Sequence, residues 1–482
     1  MGKKDEKIIS GFFWRFSENI AAQIVSFIVS VILARILMPE DFGVVAIVLS
    51  FTMIVEILVS NGLGSALIQK KEASNLEFST IFWCNFALAA VLYLVLYLLA
   101  PFLAKFYGIS LLKPVLRVFG IKLFLSAFKS IQAAYVSRKM DFKKFFYASL
   151  IGTIASAFVG ISMAYLGFGV WALVAQYLSD TFIDVIILSF TIGWSPKLEF
   201  SVENAKPLIR YGWKISVSTL LATIFNQLNS FIIGKRYSSV DLAYYSQGKK
   251  FPDVISYNFN ITVSSVLFPA ISMGTGIEEI KRIRRNTLKM LFYVLLPVMM
   301  GMIVISDKMI LVFLTEKWIF AVPYVRISCI AWIVSIIGKT LPQEINAIGR
   351  SDITLRLEFI KRPLYLIFVI VAMMISVKAV ASTLIIFEII EFCCNYFPVK
   401  KYIGFDIKLY LKDALPSFLM SVIMMIVVIC IGKIFSNNLL CLVMQIFGGC
   451  IVYIGLSFIT KNDSFNYLCD ILRQRVQKKI NK

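Results

Sequence analysis

Histidine does not occur in this chain of 482 residues. The commonest general base and the commonest metal ligand are thereby removed. Cysteine offers no replacement. Of the eight, Cys84, Cys329, Cys393, Cys394, Cys430, Cys441 and Cys450 fall in apolar segments and Cys469 in the polar tail. None shows paired metal-ligand spacing, and the adjacent Cys393 and Cys394 fit helix packing better than redox chemistry. No catalytic residue, no metal site and no cofactor is expected, and no nucleotide-binding P-loop occurs. Acidic residues are scarce, 28 against 49 basic, for a net charge of +21. No soluble basic domain exists to carry nucleic-acid binding, so nucleic acid is excluded as a partner. The surplus fits basic residues that hold cytoplasmic loops inside and meet anionic lipid headgroups. The N-terminus has no small-residue cleavage site, so the first apolar segment is expected to stay as a helix.

What is present is apolar. Hydrophobic residues make up 59% of the chain and mean hydropathy is +0.82, whereas a soluble domain is nearer half apolar. Apolar runs of about 20 residues recur along nearly the whole length, which predicts an all-α polytopic membrane protein and not a β-barrel. The runs predict about fourteen helices, over about 12–37, 42–68, 78–103, 112–136, 147–166, 170–192, 207–233, 242–271, 287–306, 323–348, 355–377, 379–398, 414–435 and 439–459. Basic connectors are expected at 137–146, 274–285 and 400–412, with a polar break at Pro39-Glu40-Asp41. An even helix count puts both termini on one side. Loops assigned inside carry roughly 27 Lys and Arg and those outside roughly 8, so both termini are expected in the cytoplasm.

The first helix carries Arg15, Asn19, Gln23, Ser26 and Ser30 on one face, a polar stripe suited to a helix interface or a wet cavity. A second stripe, Ser216, Thr219, Thr223, Asn226 and Ser230, lies about 200 residues on. The two segments align further: Trp14-Arg15 with Trp213-Lys214, Arg35 with Lys235, Asp41 with Asp241. Asp180 and Asp184 correspond likewise to Glu388 and Glu391. The repeat predicts two lobes of about six helices each, related by a pseudo-twofold axis along the membrane normal with the substrate site between them. The expected divisions are 1–200 for the N-lobe, 201–405 for the C-lobe, and 406–482 for two further helices and a basic cytoplasmic tail.

Three stretches carry a family resemblance: ILARILMPEDFGVVAIV, GWSPKLEFSVENAKPLIRYGWK and LAYYSQGKKFPDVISYNFNITVSSVLFPAIS. In order and spacing the chain resembles the polysaccharide-transporter branch of the MOP exporter superfamily, the Wzx-like flippases related to MATE exporters, over nearly its whole length. The resemblance implies two six-helix lobes around a V-shaped cavity and alternating access. It also implies export of undecaprenyl-diphosphate-linked oligosaccharide units across the bacterial inner membrane, for O-antigen, capsule or exopolysaccharide.

Such a substrate needs hydrogen-bonding groups for its sugar and cations for its diphosphate, while its tail stays in lipid. Candidate cavity residues are Arg15, Asn19, Gln23, Lys122, Lys129, Lys214, Asn226, Gln227, Lys249, Lys250 and Lys339. Arg15 and Lys214 either bind phosphate or snorkel to headgroups. The amides either bind sugar or join helices. Glu56, Asp180, Asp184, Glu344, Glu388 and Glu391 are candidates for H+ or Na+ coupling, the alternative being internal salt bridges such as Glu56 with a lysine of the fourth helix. Expected partners are the lipid-linked oligosaccharide, membrane lipids and a polysaccharide polymerase complex, with the chain itself a monomer. The excess of candidate cations favours an anionic substrate over the organic cations of a multidrug antiporter. A membrane polymerase or glycosyltransferase normally needs a substantial outer loop, and the longest outer stretch, about 307–322, is short and apolar.

Overall fold

The structure, a computed structural model, describes residues 21–70, 72–273, 277–347, 350–404 and 406–466. It is 89% helical with 14 long helices and no strand among the described residues. In order the helices are α1 (Ala21–Ile36), α2 (Pro39–Ser60), α3 (Gly62–Gln69), α4 (Asn75–Tyr107), α5 (Leu112–Phe119), α6 (Lys122–Lys139), α7 (Phe142–Tyr165), α8 (Val170–Ile192) and α9 (Val202–Arg236). They continue as α10 (Ser239–Met273), α11 (Ile277–Leu314), a 3-10 turn (Glu316–Ala321), α12 (Val322–Gly338), α13 (Leu341–Ala347), α14 (Ser351–Ala372), α15 (Val377–Tyr402), α16 (Ile407–Ile434) and α17 (Asn438–Ile459). Among the described residues 9 spans are long and apolar enough to cross a bilayer, and the chain is a multi-pass membrane protein.

The chain packs as two compact units, Met1–Ala243 and Tyr244–Lys482. In the first unit the core gathers Phe78, Phe82, Ile131, Phe145, Leu188 and Trp194. Its linker after α8 is docked, not loose. Trp194 is buried against Phe78 and Tyr135 with ring centroids 5.9 and 6.0 Å away. The Lys197 N–H donates to Ser79 Oγ (3.1 Å), the Ser201 N–H to Thr80 Oγ1 (3.2 Å), and Trp83 Nε1 to the Lys197 carbonyl (2.8 Å). In the second unit Tyr293, Met420, Met424, Val428 and Tyr453 join α11, α16 and α17. Tyr453 donates to the Tyr293 carbonyl (2.8 Å), and Tyr293 to Ser457 Oγ (2.9 Å). The lobe boundary expected at 200/201 rests on the polar linker 193–206, whereas the units reflect packing; α9, which opens the expected C-lobe, packs inside the first unit on α2 and α3.

Several expected boundaries move, each for a local reason. Pro39-Glu40-Asp41 is not a break but the first turn of α2. Proline is tolerated where no intrahelical N–H is needed, and the Asp41 carboxylate accepts the Met38 N–H at 3.1 Å. The break is at Leu37-Met38. Its counterpart is Tyr237-Ser238, capped through the serine side chain: the Asp241 N–H donates to Ser238 Oγ (3.0 Å), and that hydroxyl to Asp241 Oδ2 (2.6 Å). The starts of α2 and α10 are thus offset as Asp41 is from Asp241, so the repeat extends to helix punctuation. The expected basic connector 274–285 is largely helix. Lys281, Arg282, Arg284 and Arg285 lie on the first turns of α11, where Glu278 and Glu279 pair with Lys281 (2.6 Å) and Arg282 (3.8 Å). The helices expected over 42–68, 112–136 and 323–348 each break once, near Asn61, Gly120 and Lys339. The stretch 307–322, expected on the outer side, holds the end of α11 and the 3-10 turn, with Trp318 fully buried.

Close backbone approach ties α3 to α9. A Cβ at Gly62 would lie 2.5 Å from the Gly212 carbonyl oxygen and 2.0 Å from Ser216 Oγ, and one at Gly212 would lie 2.7 Å from the Gly62 carbonyl oxygen. Small residues at such a crossing let helices meet without lipid between them. Gly212→Ala must push two backbones apart, and we expect a loss of about 1–3 kcal/mol. Gly455→Ala on α17 meets nothing within 4 Å and should be neutral or slightly stabilising. Thermal unfolding of both variants in detergent checks this; equal midpoints would refute the close-packing account.

Candidate functional site

The charged side chains that matter lie on α2, α6, α8, α10, α11, α13 and α15 and just beyond α12. A charged side chain at mid-bilayer costs roughly 2.5–3.5 kcal/mol, so each needs a partner or water. The structure supplies partners within each unit. In the first, Glu56 of α2 receives Lys122 Nζ at 3.0 Å and Ser126 Oγ at 2.6 Å, both from α6. Two turns further along the same face of α6, Lys129 pairs with buried Asp184 of α8. Gly152 of α7 makes room for that carboxylate, since a Cβ there would lie 2.2 Å from Asp184 Oδ1. Asp180 accepts Ser156 Oγ at 3.4 Å. The salt-bridge alternative for Glu56 is therefore the arrangement seen.

In the second unit α10, α12 and α15 form a chain of charges. Glu388 of α15 lies 3.3 Å from Lys339 Nζ, just beyond α12. Lys339 also stands 3.8 Å over the Trp332 ring, whose Nε1 donates to Asp253 of α10 at 2.7 Å. Asp253 in turn lies 3.9 Å from Lys249. Glu391 is half-buried one turn beyond Glu388. Glu344 is fully buried against Arg284 Nη1 at 2.6 Å, and Arg284 also donates Nε to Tyr410 (2.6 Å) and Nη2 to the Gly404 carbonyl (2.9 Å).

A common plan emerges from the two descriptions. The repeat aligns α8 with α15 through their acidic pairs, and each of these helices holds a carboxylate on a lysine: Asp184 on Lys129, Glu388 on Lys339. In each case the other carboxylate oxygen, Asp184 Oδ1 or Glu388 Oε2, meets no hydrogen-bond donor among the described residues, and the same holds for Glu344 Oε1.

The remaining candidates scatter. Arg15 and Asn19 lie outside the described residues. Gln23 is half-buried on α1. Gln227 is tied to α2, accepting Ser50 Oγ at 3.2 Å and donating to Met53 Sδ at 3.4 Å, while Asn226 is exposed. Ser216, from the second polar stripe, is buried against α3 instead of lining open space. Lys214 is exposed and Lys250 half-buried, and neither has a carboxylate within 4.0 Å among the described residues. Sequence reasoning passed over Arg284, Lys361, Glu358 and Arg362. Lys361 is buried on α14 with Glu358 2.5 Å away, and Glu358 also receives Arg362 at 2.8 Å. For Glu358, Lys361 and Arg362 the i, i+3 and i, i+4 spacing inside an apolar run is the available signal, and for Arg284 there is none.

The sequence profile of the family described as polysaccharide biosynthesis protein matches residues 32–323. The chain belongs to that family. Among its relatives, the lipopolysaccharide biosynthesis protein WzxC of Escherichia coli (strain K12) is 21% identical over 447 residues, 90% of this chain and 89% of its own. The succinoglycan biosynthesis transport protein ExoT of Rhizobium meliloti (strain 1021) is 27% identical over 302 residues, 62% of this chain and 60% of its own. Among solved structures, the inward closed conformation of the lipid II flippase MurJ superposes with a TM-score of 0.73 at 18% identity, covering 94% of this chain and 99% of that one. That likeness establishes the fold. Within the family match lie α2, α6 and α8 with the Glu56–Lys122 and Lys129–Asp184 ties.

Proposed function

We propose that this family member is a flippase. It moves an undecaprenyl-diphosphate-linked oligosaccharide from the cytoplasmic to the outer leaflet by alternating access, for surface polysaccharide synthesis. The observation that carries the proposal is the family match over 32–323 on a chain whose charged groups lie inside its spans. A catalyst would need reactive groups on an aqueous loop. Here the charges sit on helices and are mostly paired, as expected where helices must enclose a polar cargo. Lys214 and Lys250, without acid partners among the described residues, suit a diphosphate; Gln23 and Asn226 suit sugar hydroxyls. Asp184, Glu344 and Glu388 each keep a buried oxygen without a donor among the described residues, so coupling to H+ or Na+ belongs to the same proposal. The protein acts as a monomer with both termini cytoplasmic and feeds a polysaccharide polymerase.

Deletion of the coding sequence tests this. Lipid-linked repeat units are expected to accumulate in the cell while surface polysaccharide falls at least about tenfold, a barrier of water-stripped hydroxyls having no other way round. Undiminished surface glycan in the deletion strain refutes the proposal.

A further inference from the structure

Within the first unit the starts of α2 and α10 meet. A Cβ at Gly43 would lie 1.9 Å from the Ser239 carbonyl oxygen and 2.9 Å from Ser239 Cβ. The second turn of α2 therefore rests on the first residue of α10 with room for no side chain. The contact puts both starts at one membrane face, the one expected to be outer. Beneath it the packing is apolar and close. Phe42, Val44, Val45, Ile47 and Val48 are all buried, so these turns of α2 are enclosed on every side. Gly234 of α9 completes the layer: a Cβ there would lie 3.2 Å from Leu242 of α10 and 3.3 Å from Ile47 and from Tyr107 of α4. Deeper along α2 the surroundings change. Met53 is exposed, and the side chains of Glu56 and Lys122 are 22% and 19% exposed. Asn226, next to the Gln227 that bonds Met53, is exposed too. An open, polar stretch thus ends against an apolar plug.

The chemistry at the contact suits one that opens. Asp41 accepts the N–H of Met38, and Asp241 exchanges hydrogen bonds with Ser238, so each helix start closes its own cap within its own turn. Parting the two starts leaves both caps intact. What holds them is close approach of backbone and small apolar surfaces, which can be remade on closing. We propose that the seat of Gly43 on Ser239 is a gate: it shuts the polar stretch of the first unit at this membrane face, and the two helix starts separate to open it. The gate rests on the export reading, because a carrier with alternating access must close one face while the other admits cargo.

The test uses the purified full-length protein in detergent carrying Ile47→Cys, a position 1% exposed beneath the contact. A water-soluble maleimide labels it, and mass spectrometry reads the rate at each cysteine separately. Native Cys329, fully buried in the second unit, reports any general loss of packing. Position 47 should label slowly in Ile47→Cys alone. Adding Gly43→Ala, whose methyl the closed contact does not admit, should raise its rate at least about tenfold while Cys329 stays silent. Adding Gly152→Ala instead should change the rate less than about twofold. That glycine is equally tight, a Cβ there lying 2.2 Å from Asp184 Oδ1, but it belongs to α7. An unchanged rate in Gly43→Ala, an equal rise with Gly152→Ala, or Cys329 labelling alongside position 47 would overturn the gate. Labelling needs no cargo, so a failed gate shows here and a failed export reading shows in the deletion strain.

Discussion

Arg284→Met is expected to be the most damaging single substitution in the second unit, lowering stability by about 3–5 kcal/mol. The side chains of Arg284 and Glu344 are 1% and 0% exposed and meet at 2.6 Å. Removing the guanidinium strands a fully buried carboxylate with no other cation within 4.0 Å among the described residues, and Glu344 Oε1 already lacks a donor there. It also takes partners from the Tyr410 hydroxyl and the Gly404 carbonyl, and so loosens α11 from α16. A buried pair is costly to halve but far less costly to replace whole. Arg284→Met combined with Glu344→Leu should therefore recover most of the loss. Thermal unfolding in detergent, with folded yield as a second readout, measures both. A single variant as stable as the parent, or a double variant no better than the single, would show that burial does not isolate this pair.

Lys129→Met should cost far more than Asp184→Asn, although both remove the same ion pair. The Asp184 side chain is 3% exposed and that of Lys129 38%. Without Lys129 the carboxylate is stranded, at about 3–5 kcal/mol. Without the Asp184 charge, the lysine can turn its head to water or headgroups, and the cost falls to about 1 kcal/mol. The corresponding pair of the other unit is less lopsided, Lys339 at 30% and Glu388 at 13%. Lys339→Met should therefore fall between the two, with part of its cost coming from the lost contact over Trp332. Unfolding midpoints ranked in this order, with surface polysaccharide measured alongside in cells, check the prediction. Equal costs for Lys129→Met and Asp184→Asn would mean that water reaches both partners alike.

Helix length and helix ends differ in how they can be read from a chain. Hydrophobic length is a one-dimensional property, so α8 is found over the residues expected and α17 within one residue. Repeat punctuation is also local, because Asp41 and Asp241 act on turns three residues long. Helix extent was misjudged where charge enters a helix end. Lys281 to Arg285 look like a connector until Glu278 and Glu279 are seen pairing with them along α11.

By itself the sequence determined that this is an all-α polytopic membrane protein with charges inside its helices, because length, hydropathy and turn chemistry act along the chain. Which charge answers which was decided by tertiary structure alone. Lys129 meets Asp184 from 55 residues away, and Arg284 meets Glu344 from 60. A side chain that must leave water takes whichever opposite charge the packing brings within a few ångströms, and no spacing along the chain encodes that.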